Sequence, residues 1–107
     1  MAWSPNNQQG SSDTAFQFVA QGVLTIGATA VPCTVDQATF VPLQFRKLIT
    51  LQAEDNDIFY GLSDAVTTST GIKLPRNGIV FLPYGPGILV HLIAGGASRT
   101  LRLHEAG

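Results

Sequence analysis

The sequence predicts an all-β fold: a single-domain antiparallel β-sandwich or jelly roll of about eight short strands behind an extended N-terminal arm, with a small barrel as the second architecture. Three observations predict it. From Ala15 onward apolar residues recur with period two, the spacing that puts alternate side chains on one face of a strand. Turn-forming residues break that alternation at intervals of roughly eight to twelve residues. Helical periodicity is missing, apart from room for one turn around residues 63–66. The 107 residues suffice for one domain with a real core, divided as an arm over 1–14 and a β-domain over 15–107.

Residues 1–14 are polar, with Pro5, Gly10 and a Ser11-Ser12 pair. They read either as an unstructured tail or as an arm that orders on a neighbouring surface, with Trp3 as its apolar anchor. Phe16 and Phe18 then share one face, and Leu24 accompanies Ile26 before Gly27. Val31, Cys33 and Val35 form the next inward set, which makes Cys33 a small core residue and not a reactive thiol. Residues 40–46 alternate Val41, Leu43 and Phe45 with Pro42, Gln44 and Arg46. Proline has no N–H to give a ladder, so this strand belongs at a sheet edge or begins irregularly. Residues 47–54 put Ile49, Leu51 and Ala53 on one face and Leu48, Thr50 and Gln52 on the other. The short turn Glu54-Asp55-Asn56-Asp57 predicts that 49–52 and 58–61 form an antiparallel hairpin.

A polar loop over residues 62–70 leads to a short strand at 71–74, where Gly71 is expected to turn the chain with positive φ. Pro75-Arg76-Asn77-Gly78 reads as a turn with Gly78 in the left-handed region. Strands at 79–82, 87–94 and 97–104 complete the set. Gly95-Gly96 has the composition of a two-residue hairpin turn joining the last two. Residues 87–94 are apolar on both faces apart from His91, which suits a central strand or an oligomer interface.

Hydrophobic residues make up 45% and charged residues 12%, about half the usual share of charge. Either the exterior is rich in neutral polar side chains, or another chain covers part of an apolar surface. The net charge of −1, with Arg46-Lys47 as the one adjacent basic pair, disfavours binding to nucleic acid. One cysteine excludes an internal disulfide and a cysteine-based metal site. The N-terminal stretch lacks the basic start and apolar run of a secretory leader, and no run is long enough to span a membrane as a helix. Synthesis and assembly in a cytoplasm are expected.

The reactive residue types do not assemble into a catalytic pattern. His91 lies in an apolar strand, as a satisfied core or interface histidine would, and His104 alternates outward with Leu103. Glu54, Asp55 and Asp57 crowd one turn without calcium-loop spacing and read as solvated acids. Ser63, Ser69 and Ser98 lack a nucleophile elbow, and Gly95-Gly96 precedes a strand where a phosphate cradle needs a helix. No catalytic, cofactor-binding or metal-ligating residue is assigned, no cofactor is expected, and the chain is not expected to be an enzyme. A carbohydrate-binding module is the alternative from another class, with Trp3, Phe59, Tyr60 and Tyr84 as its only aromatic platform.

Tyr60-Gly61, the loop and strand Ser63 to Leu74, the Pro75–Gly78 turn, Leu92-Ile93-Ala94 and Leu101-Arg102-Leu103 together form a distinctive series. This series, spanning roughly Ile49 to Glu105, resembles a recurrent pattern in small virion proteins of tailed bacteriophages. The resemblance implies a structural β-sandwich on the capsid exterior, a decoration (cement) protein that binds the major capsid protein or other virion proteins as a dimer or trimer. A tail, baseplate or head–tail accessory protein is the alternative it leaves open. It implies no nucleic-acid or membrane partner. The contact residues it suggests are Trp3 in the arm and Leu62, Val66, Thr67, Thr68 and Ser69 in the loop, with Leu48 and Phe59 on exposed faces.

Overall fold

The computed structural model describes residues 18–107. The expected arm, with Trp3, and Phe16 lie outside the described residues. Among those described there is no helix and there are eight strands: β1 (Val19–Ile26), β2 (Val31–Pro32), β3 (Leu48–Ala53), β4 (Ile58–Gly61), β5 (Ile72–Lys73), β6 (Ile79–Leu82), β7 (His91–Ala94) and β8 (Arg99–Ala106). They form two antiparallel four-stranded sheets. The first has the order β1-β8-β3-β6 and the second β2-β7-β4-β5.

Period two carries through to burial. In the first sheet Leu24 and Ile26 of β1, Ile49, Leu51 and Ala53 of β3, and Leu101 and Leu103 of β8 turn inward. Ile58 of β4 and Leu92 and Ala94 of β7 do so from the second. These residues join Cys33, Leu74, Leu82 and Val90 in one buried cluster. Each large aliphatic side chain removed from water in this way contributes about 1.5–3 kcal/mol. The cluster ties the two sheets into one unit.

Several local expectations are overturned. Residues 49–52 and 58–61 do not form a hairpin, because β3 belongs to the first sheet and β4 to the second. The acidic turn between them is a crossing. Gly95-Gly96 likewise joins no hairpin: β7 pairs with β2 and β4, β8 with β1 and β3. The connection takes four residues, and the left-handed residue in it is Ser98, with φ 61°. Residues 40–46 form no strand. Phe40 (φ 58°) and Phe45 (φ 59°) both sit in the left-handed region, which a pleated ladder does not accommodate. Residues 87–90 are outside β7, so the apolar stretch is half strand and half connection. In the Pro75 turn the left-handed residue is Asn77 (φ 60°), not Gly78.

Gly71 is not left-handed either. Its reason is steric: a Cβ there would lie 2.9 Å from the Phe59 Cβ and 3.0 Å from the Thr67 carbonyl oxygen. A valine at this position would be unfavourable on those steric grounds and not because of φ.

Candidate interaction surface

The most tightly organised part of the molecule is a buried ion pair at one end of the first sheet. Inward positions on β8 run Leu101, Leu103, Glu105, so the strand period carries a carboxylate into the interior. Glu105 meets Arg46 there, with Arg46 Nη1 donating to Glu105 Oε2 at 2.8 Å, and both side chains are about 1% exposed. A buried charge pair is tolerable only when its remaining donors and acceptors are satisfied. Here they are. Arg46 Nε donates to the Tyr84 carbonyl at 3.1 Å, and Nη2 to the carbonyls of Gly85 and Ile88, each at 2.8 Å. Glu105 Oε1 accepts from the Val35 amide at 2.9 Å and Oε2 from the Leu43 amide at 3.2 Å. The pair thus fastens the segments after β2, before β3 and before β7 to the end of β8. It is a clamp on the loops, and through Leu43 and Arg46 it brackets the Phe45 kink.

The clamp and core fix a first sheet whose outer face is uncovered among the described residues. Strand pairing lays that face out in rows: Val19, Ala106 and Leu48; then Gln21, His104, Thr50 and Phe81; then Val23, Arg102, Gln52 and Ile79. Val19 is 75% exposed, Val23 and Phe81 63% each, and Ile79 59%, so large apolar groups stand in solvent on both edge strands. A shallow groove of about 310 Å³ lies over β1, β8 and β3, lined by Val19, Gln21, Leu48, Thr50, His104 and Ala106. At the end of β1, exposed Phe18 and Phe45 place their rings 6.1 Å apart in a tilted pair. Leu48 lies on this face, as expected, and is half-buried in it. The exposed hydrophobics thus flank a polar centre formed by His104, Arg102, Thr50 and Gln52.

The second sheet is different. His91 and Ile93 point away from the core residues Leu92 and Ala94, yet each is only 9% exposed. Residues 62–71 supply cover on that side. Val66 is buried, and a Cβ on Gly61 would lie 2.6 Å from Val66 Cγ2, so the absence of a side chain at Gly61 is what lets the loop seat. The loop tip then closes on itself. Ser69 and Thr70 amides donate to Thr67 Oγ1, and the Thr67 amide donates to Thr70 Oγ1. Leu62, Thr67, Thr68 and Ser69 are exposed, and Leu62 lines a hollow of about 280 Å³ with Val66, Ala65 and Thr70. Of the loop residues expected to make contacts, Val66 faces inward and anchors the others. His91 is buried, and its Nδ1 has no hydrogen-bond partner among the described residues.

The acids of the 54–57 turn are bound, not merely solvated. Glu54 pairs with Arg102 at 2.6 Å, Asp57 with Arg99 at 2.8 Å, and Asp55 accepts the Thr100 amide at 3.1 Å. The hydrogen bond from Arg99 holds the Asp57 carboxyl below its usual range. Burial pushes the Cys33 thiol up to about 12, which leaves it protonated and inert, as a small core residue should be. Tyr60 and Tyr84 pack against the core cluster instead of presenting their rings outward. Among the described residues no group of three or more His, Cys, Asp or Glu side chains is placed to hold a metal ion.

Comparison with known proteins finds no matching family model, no matching curated protein and no matching solved structure.

Proposed function

We propose that this chain is a structural virion protein that works through its surfaces: a capsid decoration protein that binds a lattice of major capsid protein on the particle exterior and stabilises the head. In the same reading its two sheets form a jelly roll, the eight-stranded double-sheet architecture found in capsid proteins and lectins. The strand order supports that part. Numbered along the chain, a jelly roll pairs its strands as 1-8-3-6 and 2-7-4-5, and β1-β8-β3-β6 with β2-β7-β4-β5 is that order.

The observation that carries the functional reading is the outer face of the first sheet, uncovered among the described residues, with Val19, Val23, Ile79 and Phe81 exposed. A protein that acts by covering a neighbour needs such a face and needs no reactive group. The phage-like series from Tyr60 to Leu103 supplies the kind of neighbour. Purified protein added to particles lacking it should bind at a fixed stoichiometry and raise the temperature at which heads release DNA. Phe81→Ser should lower occupancy at least about tenfold, the equivalent of roughly 1.4 kcal/mol. Absence of particle binding by the wild-type chain would overturn the reading, and binding confined to tails would move it from capsid to tail.

A further inference from the structure

We infer that β1 is an interface edge, and that a second copy of this chain pairs with it antiparallel, joining two first sheets into one of eight strands. The inference stands apart from the virion reading, since it rests on the four sheet edges alone.

A sheet edge offers unpaired N–H and C=O groups to any passing strand, and proteins blunt it with short strands, lysine or proline. Three edges here are blunted. β2 has two residues, one of them Pro32; β5 has two, one of them Lys73; β6 has four and runs into Pro83. β1 is the exception. It has eight residues, VAQGVLTI, with no charge and no proline, and its pairing with β8 runs from Val19↔Ala106 to Ile26↔Arg99 without a bulge.

The pairing also says which groups are free. Phe18 and Gly107 exchange both of their backbone hydrogen bonds, at 2.7 and 2.8 Å. In an antiparallel ladder such pairs alternate, so Ala20, Gly22, Leu24 and Ile26 bond to β8, while Val19, Gln21, Val23 and Thr25 aim their N–H and C=O away from it. Among the described residues nothing else bonds to those four. Val19 and Val23 are also more than 60% exposed.

The edge fits itself. A two-fold axis at Gln21 sets Gln21 against the second copy's Gln21 and sets Val19 against the second copy's Val23 twice, with the outward backbone groups of those three residues in register. β-branched pairs directly across a ladder are favourable, and an uncharged strand meets its own copy without like-charge repulsion. The two bare outer faces then continue across the junction. Strands of this length make a contact at the small end of specific interfaces, so the dimer should depend on concentration.

A charge swap tests it on the full chain. Gln21→Lys and Gln21→Glu each put like charges across the axis while leaving the β8 ladder untouched. Sedimentation of the wild type should show a dimer that grows with concentration. Each variant alone should dimerise at least about tenfold more weakly with an unchanged melting curve, and an equimolar mixture of the two should regain the dimer. A wild type that stays monomeric would overturn the inference, above all if its Val19, Gln21, Val23 and Thr25 amides resist hydrogen exchange because the chain's own residues cover them. Variants that dimerise as well as the wild type would overturn it too, as would a mixture that stays monomeric.

Discussion

The two sheets share a core and divide everything else. The first is built from strands of eight, eight, six and four residues, and among the described residues its outer face is open. The second has strands of two, four, four and two, and residues 62–71 fold over it with Val66 as the plug. One sheet is held by its own long ladders. The other is held by loops, glycine gaps and the clamp at Arg46 and Glu105. The contrast separates what keeps the molecule folded from what it has to offer: the sheet that needs least help is the one left uncovered.

Breaking the clamp should have the largest effect, because it joins the end of the first sheet to the segments that flank β2 and β7. Glu105→Ala leaves the Arg46 guanidinium buried without a counter-charge and the Val35 amide without its acceptor. The expected loss is about 3–5 kcal/mol, measured by urea denaturation. Replacing both partners with apolar residues, Arg46→Met with Glu105→Leu, should recover most of it. A loss below about 1 kcal/mol for the single variant would mean that the loops do not depend on the pair.

Gly61→Ala comes next and bears on the second sheet alone. The new Cβ meets Val66 at 2.6 Å, and overpacking of this kind costs about 1–3 kcal/mol. Adding Val66→Gly, which removes both the Cγ2 at 2.6 Å and the Cβ at 2.8 Å, should restore part of the loss, since contacting residues do not act additively. If the two effects simply sum, Val66 is not seated where the glycine lets it in. Phe81→Ser tests the opposite face. Exposed at 63%, the ring should change stability by less than about 1 kcal/mol while changing occupancy on particles, and a large fall in melting temperature would show that the outer face is structural.

The smallest effect is electrostatic. The hydrogen bond from Arg99 lowers the pKa of Asp57, so the folded chain binds the proton less readily than the unfolded one. The contribution is therefore complete at neutral pH and fades as pH falls below the ordinary carboxylate value of about 4. Asp57→Asn should melt lower than wild type at neutral pH, with the difference closing in acid. A gap that stays constant with pH would mean the charge does not matter.

Much of this was legible in the sequence. Period two located β3, β4 and β6 nearly to the residue and put Ile49, Leu51, Leu101 and Leu103 inside, because a strand's alternation is a local property. Connectivity was not local. The turns at 54–57 and 95–98 look like hairpin turns, yet each crosses from one sheet to the other. The acids and arginines that bind the first crossing to β8 lie more than forty residues apart, as Asp57 and Arg99 do. Glu105 could have been found: it falls on the inward register of Leu101 and Leu103, and a carboxylate there demands a buried cation. Arg46 gave no such signal, since its alternation with Phe45 suggested a strand that two left-handed residues abolish. The loop candidates were placed by resemblance, and only the fold distinguishes inward Val66 from exposed Leu62, Thr67, Thr68 and Ser69. No periodicity marks the outer face of the first sheet as vacant, because an alternation reads the same whichever side is covered.

The placement of β8 between β1 and β3 also sets an order of events during synthesis. Val19 leaves the ribosome 87 residues (106 − 19) ahead of Ala106, its partner, so β1 must wait unpaired while the intervening residues are made. At ordinary elongation rates that delay lasts several seconds, during which an uncharged, valine-rich segment is open to the wrong partner.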